Sequence, residues 1–205
     1  VVVLLLGGGD VAAKQYAQHQ IEQRAQIQAG DGASAKAAIH SFPFVGRLLV
    51  TGSAGDLDLR VHHVVAQAVT FSTVRVQLYD VHVDKGKLLG QRKVELTSIR
   101  KGVVTVGIDQ AELTKRVGFP VTVSGGKVSV DVRGQTVVAV PSVVNGSLRL
   151  QLGPLPALTV PIPKTDLIAC QVATVVLNGG EVRLSCETDN IPPALLKAAS
   201  RAVSP

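Results

Sequence analysis

Residues 74 to 78 read Val-Arg-Val-Gln-Leu, a strict alternation of apolar and polar side chains. In an extended chain this puts Val74, Val76 and Leu78 on one face and Arg75 and Gln77 on the other. The stretch belongs to one of three long strand-like runs, at 57–69, 71–83 and 93–108. Valine makes up roughly one residue in six of the 205-residue chain, and its branched Cβ packs well on a pleated surface. Later strands are joined by turn chemistry: Ser124-Gly125-Gly126, Asn145-Gly146 and Asn178-Gly179-Gly180 each predict a hairpin. No strand–helix–strand alternation appears, which argues against a parallel sheet. Long antiparallel strands of this kind form either a two-layer sandwich or one strongly curved sheet wrapped around a helix, and periodicity permits both. Residues 153–164, with four prolines, suit only an edge or a surface connection.

Helical signals are few. Asp10 is placed to cap a helix over 10–29, where Ala13, Ala17, Ile21 and Ala25 recur every fourth residue as a narrow apolar stripe. Asp109 and Glu112 have capping-box spacing and predict a short helix at 109–117. Asn190, followed by prolines in the first turn, predicts a terminal helix. The expected class is therefore α+β and β-rich.

Charge and export bound the partners. A net charge of +6 favours anionic ones: nucleic acid, anionic lipid head groups or an acidic envelope polymer. Nucleic acid is disfavoured, because single-strand readers need aromatic side chains for stacking and this chain has four Phe, two Tyr and no Trp. The densest basic stretch runs from Lys85 through Lys87, Arg92 and Lys93 to Arg100 and Lys101. Its bland reading is a solvated sheet face. The opening "VVVLLLGGGD" is too short to span a bilayer and reads as the tail of a signal peptide or of an uncleaved anchor, with a short buried strand as the alternative. This divides the chain into a remnant at 1–9 and one domain at 10–205, working in the cell envelope, in the periplasmic space or secreted. Cys170 and Cys186 flank the Asn178-Gly179-Gly180 turn nearly opposite each other, and in an oxidising compartment they could form a disulfide.

Catalytic signatures are absent: no G-x-S-x-G elbow, no H-E-x-x-H helix and no phosphate-binding glycine loop. His62 and His63, adjacent in a strand, are expected to face opposite ways, so at most one could join His82 at a metal. No metal, cofactor or enzyme activity is expected.

Two of the six aromatic residues, Phe42 and Phe44, flank Pro43. Pro43 suits the start or edge of a strand, and alternation would put both rings on one face, either in the core or at the lip of an apolar cavity. Ser41-Phe42-Pro43-Phe44, then Gly52, then Leu57, Leu59 and Val61, together with the later "FPVTVSGGKVSV" and the C-terminal hairpin, resemble the LmeA-like phospholipid-binding family of actinobacterial envelopes. Ser41 stands where that family usually has glycine, and Val45-Gly46-Arg47 also departs from its pattern.

The resemblance implies a tubular lipid-binding, BPI-like fold, a long curved antiparallel sheet around the N-terminal helix, with an apolar groove for acyl chains. It also implies non-catalytic binding or transfer of phospholipid and support of lipomannan elongation. On that basis the acyl-chain contacts are expected at Phe42, Phe44, Val45, Leu48, Leu49, Val74, Val76, Leu78, Val106, Ile108 and Val130. Head-group or membrane contacts are expected at Arg47, Lys85, Lys87, Arg92 and Lys93. The alternative is an accessory envelope protein that binds a glycosyltransferase or polymer.

Overall fold

The alternating run around Val76 lies in the middle of a 15-residue strand. A computed structural model describes residues 2–66, 69–91, 93–144, 147–153, 157–161, 173–189, 191 and 196. In chain order the elements begin with α1 (Val2–Ala29), β1 (Ser34–His40), α2 (Phe44–Thr51), β2 (Ser53–Ala66), β3 (Val69–Val83) and α3 (Lys85–Gln91). There follow β4 (Leu96–Asp109), α4 (Gln110–Val117), β5 (Val121–Ser124), β6 (Lys127–Val132), β7 (Gln135–Val144) and β8 (Ser147–Gln151). The last described strands are β9 (Leu158–Pro161), β10 (Ala173–Asn178) and β11 (Glu181–Thr188). They form a six-stranded sheet, β1-β2-β3-β4-β11-β10, and a five-stranded sheet, β5-β6-β7-β8-β9. Every ladder among the described residues is antiparallel.

The turn chemistry works as expected where it is local. Ser124 pairs with Lys127 around Gly125-Gly126, and Asn178 pairs with Glu181 around Gly179-Gly180. Val144 pairs with Ser147 across the Asn145-Gly146 step. The proline-rich segment supplies β9, an edge strand. Asp109 caps α4, its carboxylate accepting from the Glu112 N–H at 2.7 Å. The expected terminal helix lies almost wholly outside the described residues.

One core joins the two sheets. Phe71, Ile108, Val182 and Leu184 come from the six-stranded sheet, Val121, Val128, Val130, Leu148 and Leu150 from the five-stranded one, and Leu113 and Val117 from α4. Leu113, Leu148 and Leu150 are completely buried, each contributing about 1.5–3 kcal/mol by leaving water. The N-terminal helix packs on β1, β2 and α2. The Glu22 carboxylate of α1 accepts a hydrogen bond from the Ala37 N–H at 2.8 Å, occupying a donor on edge strand β1 that would otherwise invite another strand. No helix of the described residues is long and apolar enough to cross a membrane.

Four local expectations are corrected. Asp10 does not cap α1, which begins at Val2; its carboxylate instead serves α2. Residues 44–51 are a helix and not a strand, so Phe42 and Phe44 do not share a strand face. Lys85 and Lys87 lie on α3 and not on a sheet face. His62 and His63 are both exposed. The backbone of His63 turns left-handed (φ 58°), which shifts the alternation: Val61 is buried, and beyond the break it is Val64, not Val65, that packs on the core.

Candidate functional site: an aliphatic sheet face and its α2–α3 end

Strand register turns the alternation of single strands into a surface. In one row Ile39 pairs with Leu57, Leu57 with Leu78, Leu78 with Gly102 and Gly102 with Thr188. In the next, Ala37, Leu59, Val76, Val104 and Cys186 are successive partners. In the third, Ala35, Val61, Val74, Val106 and Leu184 are. Residues two apart on a strand share a face, so the three rows make one aliphatic face about 13 Å long and about 19 Å wide. A Cβ at Gly102 would meet Leu78 Cδ2, Thr188 Cγ2 and Ile191 Cδ1 at 3.1–3.6 Å, which places those groups on the same side.

Among the described residues the margins of this face are buried, while most of its middle is only half-buried. Ala35, Ile39, Val61, Leu184 and Cys186 are buried. Leu57, Leu59, Val74, Val76, Leu78, Val104 and Val106 all remain half-buried. At one end Val74 and Val106 pack onto the shared core. This middle zone carries no polar side chain and can receive only apolar matter.

The opposite face of the same strands is polar. Arg75 donates to both carboxylate oxygens of Asp58, from Nε at 2.9 Å and a terminal nitrogen at 2.6 Å. This guanidinium holds the Asp58 carboxyl below the usual carboxylate range against the opposing effect of burial, with Arg60 assisting. Thr105 and Ser185 share a hydrogen bond, and Lys101 pairs with Glu187. Charged and hydroxyl side chains thus concentrate on this face, although Ala38 and Val103 share it in the row of Asp58 and Gln77.

At the end of the sheet where β1 and β3 finish and β2 and β4 begin sit α2 and α3, in contact with each other. The α2 start is held by Asp10 of α1, whose buried carboxylate accepts from the Phe44 N–H at 2.9 Å and the Val45 N–H at 2.6 Å. Pro43 takes the N-cap position with extended backbone and offers no side-chain cap of its own, so a carboxylate from a distant helix fills that role. Phe44 turns inward and is buried, whereas Phe42 is 76% exposed. Val45 and Leu48 are half-buried and Leu49 is exposed. Arg47 reaches the Ser53 hydroxyl, Lys85 donates to the Val50 carbonyl at 2.9 Å, and Lys87 pairs with Glu95 at 2.6 Å. The Glu95 carboxylate raises the pKa of Lys87. Lys93 is exposed, and Arg92 lies outside the described residues.

The expected acyl contacts therefore fall into three places. Val74, Val76, Leu78 and Val106 share the open aliphatic face. Phe42, Phe44, Val45, Leu48 and Leu49 sit at the α2 end. Ile108 and Val130 are 0% exposed in the packed core, Val130 on the other sheet. Sequence reasoning missed Val104 as a partner of Val76, although its even spacing with Val106 was the available signal. Asp10 gave no signal of its role at α2. Cys186 lies opposite Ala173 in the β10–β11 ladder, and Cys170 is outside the described residues.

Two shallow hollows lie elsewhere, one lined by Val144, Ser147, Arg149, Ala157 and Thr159 and one by Thr174, Ser185, Glu187 and Asp189. Their polar linings suit acyl chains poorly. Among the described residues no group of three His, Cys, Asp or Glu side chains is placed to hold a metal ion. No curated protein and no solved structure matches the chain significantly. The family model for LmeA-like phospholipid-binding proteins matches residues 8–204, nearly the whole chain. With that extent of match the chain belongs to the LmeA-like phospholipid-binding family.

Proposed function

We propose that the protein holds the acyl chains of a phospholipid against the open aliphatic face of β2, β3 and β4, without catalysing a reaction. The observation that carries this reading is the run of half-buried aliphatic side chains, Leu57 to Val106, on a sheet whose other face is charged. Each methylene moved from water onto such a face contributes about 0.8 kcal/mol. Aliphatic walls without hydrogen-bonding groups discriminate head groups weakly, so several phospholipids should be accepted. The rest of the reading rests on the family resemblance and the basic charge: work in the cell envelope, either secreted or anchored to the cytoplasmic membrane, transfer of phospholipid from a membrane surface, and support of lipomannan elongation beside a glycosyltransferase. A Cys170–Cys186 disulfide belongs to the same reading of an exported protein, and non-reducing peptide mapping tests it.

The test of acyl binding is titration with a fluorescently labelled phospholipid. Val76→Asp puts a carboxylate in the middle of the face and should abolish uptake. Thr105→Asp, on the opposite face beside Arg75 in the register, should leave uptake intact. Equal uptake by both variants would rule out this face as the site.

A further inference from the structure

The α2–α3 end exposes apolar side chains that the aliphatic face does not use. Phe42 is 76% exposed, Val50 71% and Leu89 63%. They lie on the loop before α2, the last turn of α2 and the middle of α3. A monomeric soluble protein seldom gathers large apolar groups on one end unless that end meets something apolar. Their exposure is not accidental slack in the fold. Phe42 points outward from a junction pinned by two Asp10 hydrogen bonds, and the backbone of Val50 is held by Lys85, which donates to its carbonyl.

Charge selects the occupant. Among the described residues Arg47, Lys85, Lys87 and Lys93 lie on or next to α2 and α3, against Asp84 and Glu95. Apolar side chains ringed by lysine and arginine fit an anionic bilayer surface, where the apolar groups enter the acyl boundary and the cations stay among the phosphates. The course of α1 points the same way. Asp10 marks where α1 meets α2, and the helix continues back to Val2. Its first two turns, with the sequence "VVLLLGGG", thus extend about 12 Å from this same end.

We infer that the α2–α3 end is a membrane-docking surface, on which Phe42, Val50 and Leu89 insert into an anionic lipid bilayer and Arg47, Lys85 and Lys93 contact its phosphates. Docking here brings the end of the aliphatic face that carries half-buried Leu57 and Leu78 nearest the lipid. The inference rests on the phospholipid reading for its biological sense, but its residues are distinct from those of the acyl face.

The experiment is flotation of the full chain with phosphatidylcholine vesicles, with and without phosphatidylglycerol. A parallel assay measures uptake of a short-chain phospholipid below its micelle concentration. Wild type should float with the anionic vesicles, less so as salt rises. The double variant Val50→Ser/Leu89→Asp should lose at least about tenfold in vesicle affinity, and Lys93→Glu should weaken the salt dependence. The double variant should keep wild-type circular dichroism and short-chain uptake. Vesicle binding by Val50→Ser/Leu89→Asp equal to wild type would overturn the docking surface while leaving the acyl site standing. Loss of short-chain uptake by wild type itself would instead sink the phospholipid reading.

Discussion

Removing the Asp10 carboxylate should unlock α2 from α1. Asp10→Ala deletes two hydrogen bonds to a charged acceptor, from the Phe44 N–H at 2.9 Å and the Val45 N–H at 2.6 Å. Hydrogen bonds to charged groups contribute roughly 1.5–3 kcal/mol each. Val45 is half-buried, so water can replace part of its loss. The donor on Phe44 belongs to a residue only 6% exposed and is left stranded. The sum is a destabilisation of about 3 kcal/mol. For a chain of 205 residues that lowers Tm by about 6–12 °C. Asp10→Asn keeps one acceptor oxygen and should lose roughly half as much. Calorimetry gives the magnitude, and hydrogen exchange gives the place: the Phe44 and Val45 amides should exchange faster in the alanine variant than β6 amides do. A loss under about 0.5 kcal/mol, or faster exchange spread evenly over the chain, would refute the idea that Asp10 caps α2.

Two further outcomes follow from single contacts. Arg75 holds Asp58 below the usual carboxylate range, so as pH falls the unfolded chain protonates first, near pH about 3.9. The stability contributed by the pair is present above that pH and is lost as pH falls through the folded pKa. Asp58→Asn should therefore flatten the acid limb of a urea-midpoint profile below about pH 4, and an unchanged acid limb would contradict the pairing. Gly52 and Gly118 both close helices in left-handed conformation, at φ 75° and 77°. A Cβ at Gly52 would also stand 2.7 Å from the Val83 carbonyl, whereas at Gly118 it meets nothing within 4 Å. Gly52→Ala should thus cost at least about 1 kcal/mol more than Gly118→Ala in urea denaturation, and equal costs would refute the close approach.

What could be read from the sequence was what is decided within a few residues. The Gly125-Gly126 and Gly179-Gly180 turns, the Asp109 cap and the edge position of the proline-rich segment all depend on neighbours along the chain. The face carrying Val74, Val76 and Leu78 was legible because a strand alternates by geometry. Alternation could not say whether a face is covered: Val106 stays half-buried while Ile108, two residues on, is sealed by α4 and the second sheet. Nor could it foresee the break at His63, where one left-handed residue shifts every later side chain of β2. The α2 helix was hidden because its cap lies 34 residues upstream, on a helix whose own start that same Asp10 was expected to mark. The α3 segment, "KGKLLGQ", has two glycines and a basic start, so it read as a basic run and not as a helix, although Asp84 just before it supplies the cap, accepting from the Lys87 N–H at 3.0 Å.

The central claim is that acyl chains lie on the β2–β4 face, and photo-crosslinking tests it most directly. A phospholipid carrying a photoreactive group in mid-chain is bound, irradiated and mapped by peptide mass spectrometry. Crosslinks are predicted at Leu59, Val76 and Val104, the middle row of the face, and should vanish in Val76→Asp. Crosslinks confined to the polar side, at Arg75 or Thr105, or to the five-stranded sheet would contradict the account.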